Sequence, residues 1–143
     1  MKYMVLMYAD PAATAAMTAE QRAEVFRRHE ALHRDLADTG EMLNGAGLVL
    51  PADTTTLRWH ARGPHTATDG PLTDAPHQLT AYYVIECASP ERAHAIAERV
   101  LDFHVVAVEV RPVHDWFGMG EPPEDEPDGP DGPDGPGGPR AGA

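Results

Sequence analysis

Apolar residues form strand-like runs and helix-like stripes along the chain. The first run, Tyr3–Tyr8, is apolar at every position, which is typical of a central strand covered on both faces. Between Thr18 and Thr39 the apolar residues instead recur every three or four positions, as on one face of a helix. Thr18 and Gln21 fit a capping box, and Gly40 suits the end of this helix. The stripe consists of Arg22, Val25, Phe26, His29, Leu32, His33 and Leu36.

Further strands and one more helix follow. The composition and turn residues predict strands at 42–50, 54–60, 81–87 and 105–110, with 65–68 returning against 54–60 as a hairpin arm. Ser89 followed by Pro90 predicts the start of the second helix. Its apolar face is Ala93, Ile96, Ala97, Val100 and Leu101.

The resulting order is β-α-β-(hairpin)-β-α-β. It predicts an α+β fold of the ferredoxin-like split βαβ type, with both helices on one face of an antiparallel sheet. The other face would be bare, yet the first and third strands are apolar on both sides. In the last strand, alternation places Val105, Ala107, Glu109 and Arg111 together on one side. We therefore expect a second copy of the chain to cover the bare face, giving a homodimer.

Charge separates a folded domain from an acidic terminal segment. The 143 residues include 23 acidic and 11 basic side chains, for a net charge of −12. Residues 121–143 hold seven acidic residues, one Arg and seven of the 14 prolines. We predict a domain at 1–118 and a disordered acidic segment at 119–143. The acidic balance argues against nucleic acid and anionic membranes as partners, and the lone Cys87 and lack of a long apolar run favour a cytoplasmic protein.

The first helix carries an H-E-x-x-H pattern at His29–His33. Two histidines four residues apart on a helix can bind zinc, with the glutamate as a general base. The position six residues after His33 is Thr39, so the third histidine of one common zinc-binding pattern is missing. We expect no stoichiometric metal and no cofactor, and keep a metal site at His29 and His33 as a minor alternative.

Several segments resemble one known family. They are Met1–Tyr8, Thr68–Leu72, Gln78-Leu79, Tyr82-Tyr83 and Glu109–Val113. Together they are similar to the YCII-related family, and more narrowly to its branch named for an Asp-Gly-Pro-Phe motif. The resemblance covers about residues 1–115. In this chain Leu72 replaces the motif phenylalanine, and Thr80-Ala81 replaces a Gly-Gly pair.

The resemblance implies a ferredoxin-like dimer of the dimeric α/β barrel group. Some family members carry a histidine on the first helix paired with an aspartate at the end of the second, proposed as an acid–base site. By its spacing to Gly40, His29 falls at that histidine, whereas the aspartate position falls near Val100. Glu98 and Asp102 are close in sequence, but helical periodicity would put both on the polar face.

Other residues are candidates for chemistry or binding. Asp69 precedes Gly-Pro in a turn and is a second catalytic candidate beside His29, although an Asx-turn role is open. Glu109 and Arg111 share one strand face, either as an ion pair or as part of a site for a small anion. Tyr82 and Tyr83 point to opposite faces, and Tyr82 is the candidate for ligand contact.

Two classes of function remain open from the sequence. The resemblance implies cofactor-free acid–base chemistry, of isomerase or lyase type, on a small anionic or phenolic molecule; some relatives are chlorohydroquinone dehydrochlorinases. The alternative is a non-enzymatic ligand-binding or regulatory module, because family members are often encoded beside alternative sigma factors, which suggests a stress context.

Overall fold

The computed structural model describes residues 1–116. The strands are β1 (Lys2–Ala9), β2 (Met42–Gly47), β3 (Thr55–Arg58), β4 (Thr66–Asp69), β5 (Gln78–Glu86) and β6 (Val105–Pro112), and the helices are α1 (Pro11–Ala15), α2 (Ala19–Thr39) and α3 (Pro90–Glu98). The predicted acidic segment at 119–143 lies outside the described residues. Within residues 1–116, no helix has both the length and the apolar composition needed to cross a membrane.

Four strands form one antiparallel sheet in the order β2-β5-β1-β6. With two connecting helices, this is the strand order of a ferredoxin-like split βαβ unit, so the predicted fold class is confirmed. β3 and β4 pair separately as the predicted hairpin. The sheet therefore has two different faces, one under the helices and one opposite them, which we call the open face.

The predicted helix signals are present as hydrogen bonds. The Gln21 amide donates to the Thr18 hydroxyl oxygen at 3.1 Å, and the Gln21 side-chain oxygen accepts from the Thr18 amide at 3.0 Å. Gly40 ends α2 in the left-handed conformation, with φ 72°. The Ser89 hydroxyl accepts from the Arg92 amide at the start of α3. These caps fix where both helices begin and where α2 ends.

The structure adds one short helix and corrects two local expectations. Helix α1 follows β1, where Asp10 caps it and Pro11 occupies its first position. Helix α3 ends at Glu98, so Leu101 is 40% exposed instead of belonging to its buried face. A register shift in the pairing of β1 with β6 places Val105 on the covered face of the sheet, where it is buried. Strict alternation predicts it on the opposite face, together with Ala107.

The core lies between the helices and the covered face of the sheet. Its members from β1 and β5 are spaced two residues apart, as strand periodicity requires. Leu32 and Leu36 of α2, and Ile96 of α3, are almost completely buried against them. The main cluster is Tyr3, Val5, Met7, Leu32, Leu36, Tyr83, Ile85, Cys87, Ala93, Ile96, Ala97, Val100 and Val105.

The open face carries a row of apolar and charged side chains. Strand register places Leu6 between Tyr82 of β5 and Glu109 of β6. One row along, Met4 lies between Val84 and Arg111. Met4, Leu6 and Tyr82 are half-buried in the single chain. This is the apolar face that the sequence predicted.

Candidate functional site

A cavity of about 550 Å³ lies under the middle of α2, along the helix from Phe26 to His33. Its apolar wall includes Met7, Phe26, Leu48 and Val105. Its polar side chains are His29, Glu30, His33, Thr80, Tyr83 and His104. We call this the main cavity. Its size is within the range of small-molecule sites, and a few polar groups converge on a mostly apolar wall, as is typical of such sites.

His29 and Tyr83 form the central polar contact of the main cavity. The His29 Nδ1 atom and the Tyr83 hydroxyl oxygen are 2.5 Å apart, and the two rings meet edge to face. α2 positions the histidine and β5 positions the tyrosine, so the contact joins the helix layer to the sheet. A short hydrogen bond of this kind allows a proton to pass between the two groups.

Gly45 of β2 makes room for the Tyr83 ring. A Cβ atom on Gly45 would lie 2.6 Å from Tyr83 Cδ1, which is closer than two non-bonded carbon atoms approach each other. The neighbouring Gly47 has no such constraint, because a Cβ atom there would meet nothing within 4 Å. Glycine at position 45 therefore helps to hold the tyrosine against His29.

Burial keeps both partners of this hydrogen bond uncharged. Desolvation lowers the pKa of His29 below its ordinary value of 6.5, while the Asp102 carboxylate opposes this shift. Desolvation also raises the pKa of Tyr83 to about 12. At neutral pH the pair is therefore a neutral imidazole and a protonated phenol, which are the forms of a base and of a proton donor.

Asp102 is buried next to this pair, contrary to the sequence expectation. Its side chain is only 4% exposed. Because α3 ends at Glu98, helical periodicity no longer sets the direction of residue 102. Its Oδ1 atom accepts from the amides of His104 and Val105, each at 2.7 Å, and lies 3.2 Å from His104 Nδ1. Arg28 lies 3.7 Å from its other oxygen.

His29 connects the main cavity to Asp102. His29 and Asp102 both border a shallow depression between α2 and the end of α3. The position near Val100, where the family resemblance put the acid, is a buried core residue. A carboxylate is therefore supplied two residues later, from the loop after α3.

His33 lies one turn further along α2 and is exposed, with its ring 5.1 Å from the Tyr83 ring in an edge-to-face contact. Across residues 1–116, no three His, Cys, Asp or Glu side chains come together in a group that could hold a metal ion. The H-E-x-x-H pattern thus places two histidines beside the main cavity, and both contact Tyr83.

The remaining candidates from the sequence lie elsewhere. Asp69 ends β4 in the hairpin and is exposed, and it does not border the main cavity. Tyr82, Glu109 and Arg111 share the open face, where Arg111 donates to Glu109 at 3.2 Å. The structure thus separates His29 from all four residues. Their proposed roles in catalysis or ligand contact stay predictions.

Sequence reasoning missed three residues of this site: Tyr83, Asp102 and His104. Strand alternation puts Tyr82 and Tyr83 on opposite faces, and the sequence pattern makes Tyr82 instead of Tyr83 the candidate for ligand contact. The spacing Asp102-Phe-His104, directly after a helix, was a usable signal, since an aspartate two residues before an amide commonly accepts from it.

The fold and this cavity define a class: a ferredoxin-like α+β protein with a histidine–tyrosine pair in a cavity between helix and sheet. A model of the YCII-related domain matches residues 1–117. The chain belongs to the YCII-related family. It is also 36% identical, over 93 residues, to an uncharacterised protein of Rhizobium meliloti (strain 1021); the match covers 65% of this chain and 74% of that relative.

Proposed function

We propose that the main cavity binds a small phenolic molecule and moves a proton on it by cofactor-free acid–base chemistry. The observation that carries this proposal is the 2.5 Å contact between His29 and Tyr83 on the cavity wall. A neutral imidazole held against a protonated phenol can accept a proton without a metal or a cofactor. Isomerisation and elimination both need such a step.

The proton path runs through the tyrosine. The Tyr83 hydroxyl proton moves to His29 Nδ1 as the Tyr83 oxygen takes a proton from the bound molecule. Tyrosine is left neutral, the imidazole becomes an imidazolium, and the bound molecule becomes an anion. The buried Asp102 carboxylate stabilises the imidazolium electrostatically. Return of the proton to a different atom of the anion completes an isomerisation.

The cavity wall supports a neutral, flat molecule. Among the described residues that line the main cavity there is no Lys or Arg, and most of the wall is apolar. Such a wall does not offset the cost of burying a free carboxylate or phosphate. A phenol has an apolar ring and one acidic proton, which matches a mostly apolar wall on which His29 and Tyr83 form a polar pair.

A second reading of the same cavity is a non-enzymatic binding module. The half-open cavity and the exposed Phe26 at its edge would serve ligand binding equally well. The two readings differ in whether the bound molecule exchanges protons. A binding module holds the ligand without accelerating that exchange.

Resorcinol tests both readings, because its ring hydrogens exchange with deuterium when a base removes the hydroxyl proton. We expect resorcinol to shift the His29 ring signals in a proton NMR titration, and its exchange in D2O to be faster with the protein than in buffer. Tyr83→Phe should remove the acceleration, and Asp69→Asn, which alters an acid outside the cavity, should retain it. Binding without acceleration would establish the module instead, and unchanged His29 signals would refute both readings.

We further propose that a second copy of the chain covers the open face. The half-buried Met4, Leu6 and Tyr82 support this, because they form an apolar surface flanked by the ion pair of Glu109 and Arg111. Light scattering of the full chain should then give twice the chain mass of 15.4 kDa. A monomer at micromolar concentration would contradict the homodimer.

A further inference from the structure

A second cavity, of about 320 Å³, adjoins the main cavity. It lies between α1, the start of α2 and the segment after β2. Leu48 and Thr80 border both cavities, and the Leu48 amide donates to the Thr80 carbonyl oxygen at 2.9 Å. Thr80 is the extra residue of a bulge in β5, since Met7 pairs with Ala81 and Tyr8 with Leu79. The two cavities are therefore adjacent, with Leu48 and Thr80 on the border of each.

Arg22 gives the second cavity a positively charged arginine, and the described lining of the main cavity has no Lys or Arg. Of the described residues that line the two cavities, it is the only Lys or Arg. Within residues 1–116, no carboxylate lies within 4.0 Å of it, whereas Arg27 and Arg28 on the same helix both have acidic partners. Arg22 is therefore a cation at a cavity without a counter-charge from the described protein residues.

The hydrogen bonds of Arg22 leave donors for a ligand. Its Nε atom donates to the Met17 carbonyl at 3.3 Å and its Nη2 atom to the Ala15 carbonyl at 3.4 Å. Both distances exceed the usual range of about 2.7–3.2 Å, so these contacts are weak. A carboxylate is the partner that a guanidinium binds best.

Helix geometry fixes the distance between Arg22 and the proton-transfer pair. Arg22 and His29 are seven residues apart, so they lie two turns apart on the same face of α2, separated by roughly 10 Å along the axis. A molecule that reaches both must therefore be elongated.

We propose that the two cavities bind one elongated phenolic carboxylic acid, with its ring at His29 and Tyr83 and its carboxylate at Arg22. The proposal rests on the proposed function for the position of the ring, and it adds a residue that selects the substrate. Arg22 acts at the far end of the ligand and takes no part in proton transfer.

Calorimetry with the full chain tests this with three probes: para-hydroxyphenylbutanoate, its primary amide, and para-cresol, which has no side chain to reach Arg22. We expect the acid to bind about tenfold more tightly than the amide, a difference of about 1.4 kcal/mol. Arg22→Gln should weaken the acid about tenfold and leave the amide and para-cresol unchanged. Arg22→Lys should retain part of the preference, because it keeps the charge and loses the paired donors.

Arg27→Gln is the matched control, since it removes the same charge from the same helix outside both cavities. The proposal of an elongated ligand would be overturned if Arg22→Gln and Arg27→Gln weakened binding of the acid equally. It would also be overturned if the parent protein showed no preference for the acid over the amide. The comparison of acid and amide needs no variant, so it holds even if Arg22→Gln fails to fold. Binding of para-cresol without that preference overturns this inference and leaves the proposed function intact. No binding of any probe overturns both.

Discussion

The two halves of α2 carry the same apolar stripe, but its side chains are buried in the core in one half and border a cavity in the other. In the C-terminal half, Leu32 and Leu36 are 2% and 0% exposed and belong to the core. In the N-terminal half, Phe26 is 68% exposed and His29 is half-buried, and both border the main cavity. The same periodic pattern thus supplies both side chains that pack in the core and side chains that line the main cavity.

The strand beneath the helix explains the difference. The C-terminal half of α2 leads into the start of β2, where Met42 pairs with Ile85 and large side chains fill the space. Further along, β2 presents Gly45 and Gly47, and β5 presents Ala81 opposite Gly47. These small residues leave the volume that becomes the cavity, which borders α2 from Phe26 to His33.

The largest expected effect is the difference in stability between two truncations, one in each half of α2. Leu36→Ala removes a completely buried side chain and should lower the free energy of unfolding by about 2–5 kcal/mol. Phe26→Ala removes a larger but exposed side chain and should change it by about 0.5 kcal/mol or less. Urea unfolding followed by circular dichroism measures both. Similar losses in the two variants would show that the halves do not differ.

A smaller effect is expected from filling the space under the middle of α2. Gly45→Ala places a methyl group against the Tyr83 ring and should cost about 1–3 kcal/mol of stability. It should also displace the tyrosine from His29, which NMR of the His29 ring can detect. Gly47→Ala is the control, because its methyl group meets nothing within 4 Å. Equal stability of the two alanine variants would refute the role given to Gly45.

The sequence predicted the framework of the fold because its signals are local. The capping box at Thr18, the turn at Gly40 and the Ser89-Pro90 start of α3 each depend on residues within one turn of each other. Strand periodicity placed β1 and β5 correctly for the same reason. These signals do not depend on parts of the chain that are distant in sequence.

The site was less predictable because it depends on where regular structure stops. Asp102 was assigned to a polar helix face, and the helix ends four residues before it. Val105 was assigned to the wrong side of β6, because a register shift changes the alternation. His29 belongs to the apolar stripe of α2, and the small residues Gly45 and Gly47 of β2 line a cavity beside it. Sequence periodicity does not show where a helix ends, where a strand contains a bulge, or how large the residue on the facing element is.

The smallest expected effect tests whether the N-terminal half buries a neutral histidine. The pKa of His29 is lowered by burial, so in the window below 6.5 the unfolded chain binds more protons at this residue than the folded chain does. Protonation at this residue therefore favours unfolding, and its contribution to stability is lost as the pH falls from about 7 through 6.5 towards the lowered value.

His29→Gln isolates this contribution, because it keeps a polar side chain and removes the titration. We expect the stability of the parent minus that of His29→Gln, from urea unfolding between about pH 7.5 and 5.5, to decrease as the pH falls. The same subtraction with His33→Gln controls for removing a histidine from the same cavity. A difference that increases towards low pH would mean that the attraction of Asp102 for the imidazolium outweighs desolvation. The pKa of His29 would then lie above its ordinary value in the folded protein, which would contradict a neutral base at this position.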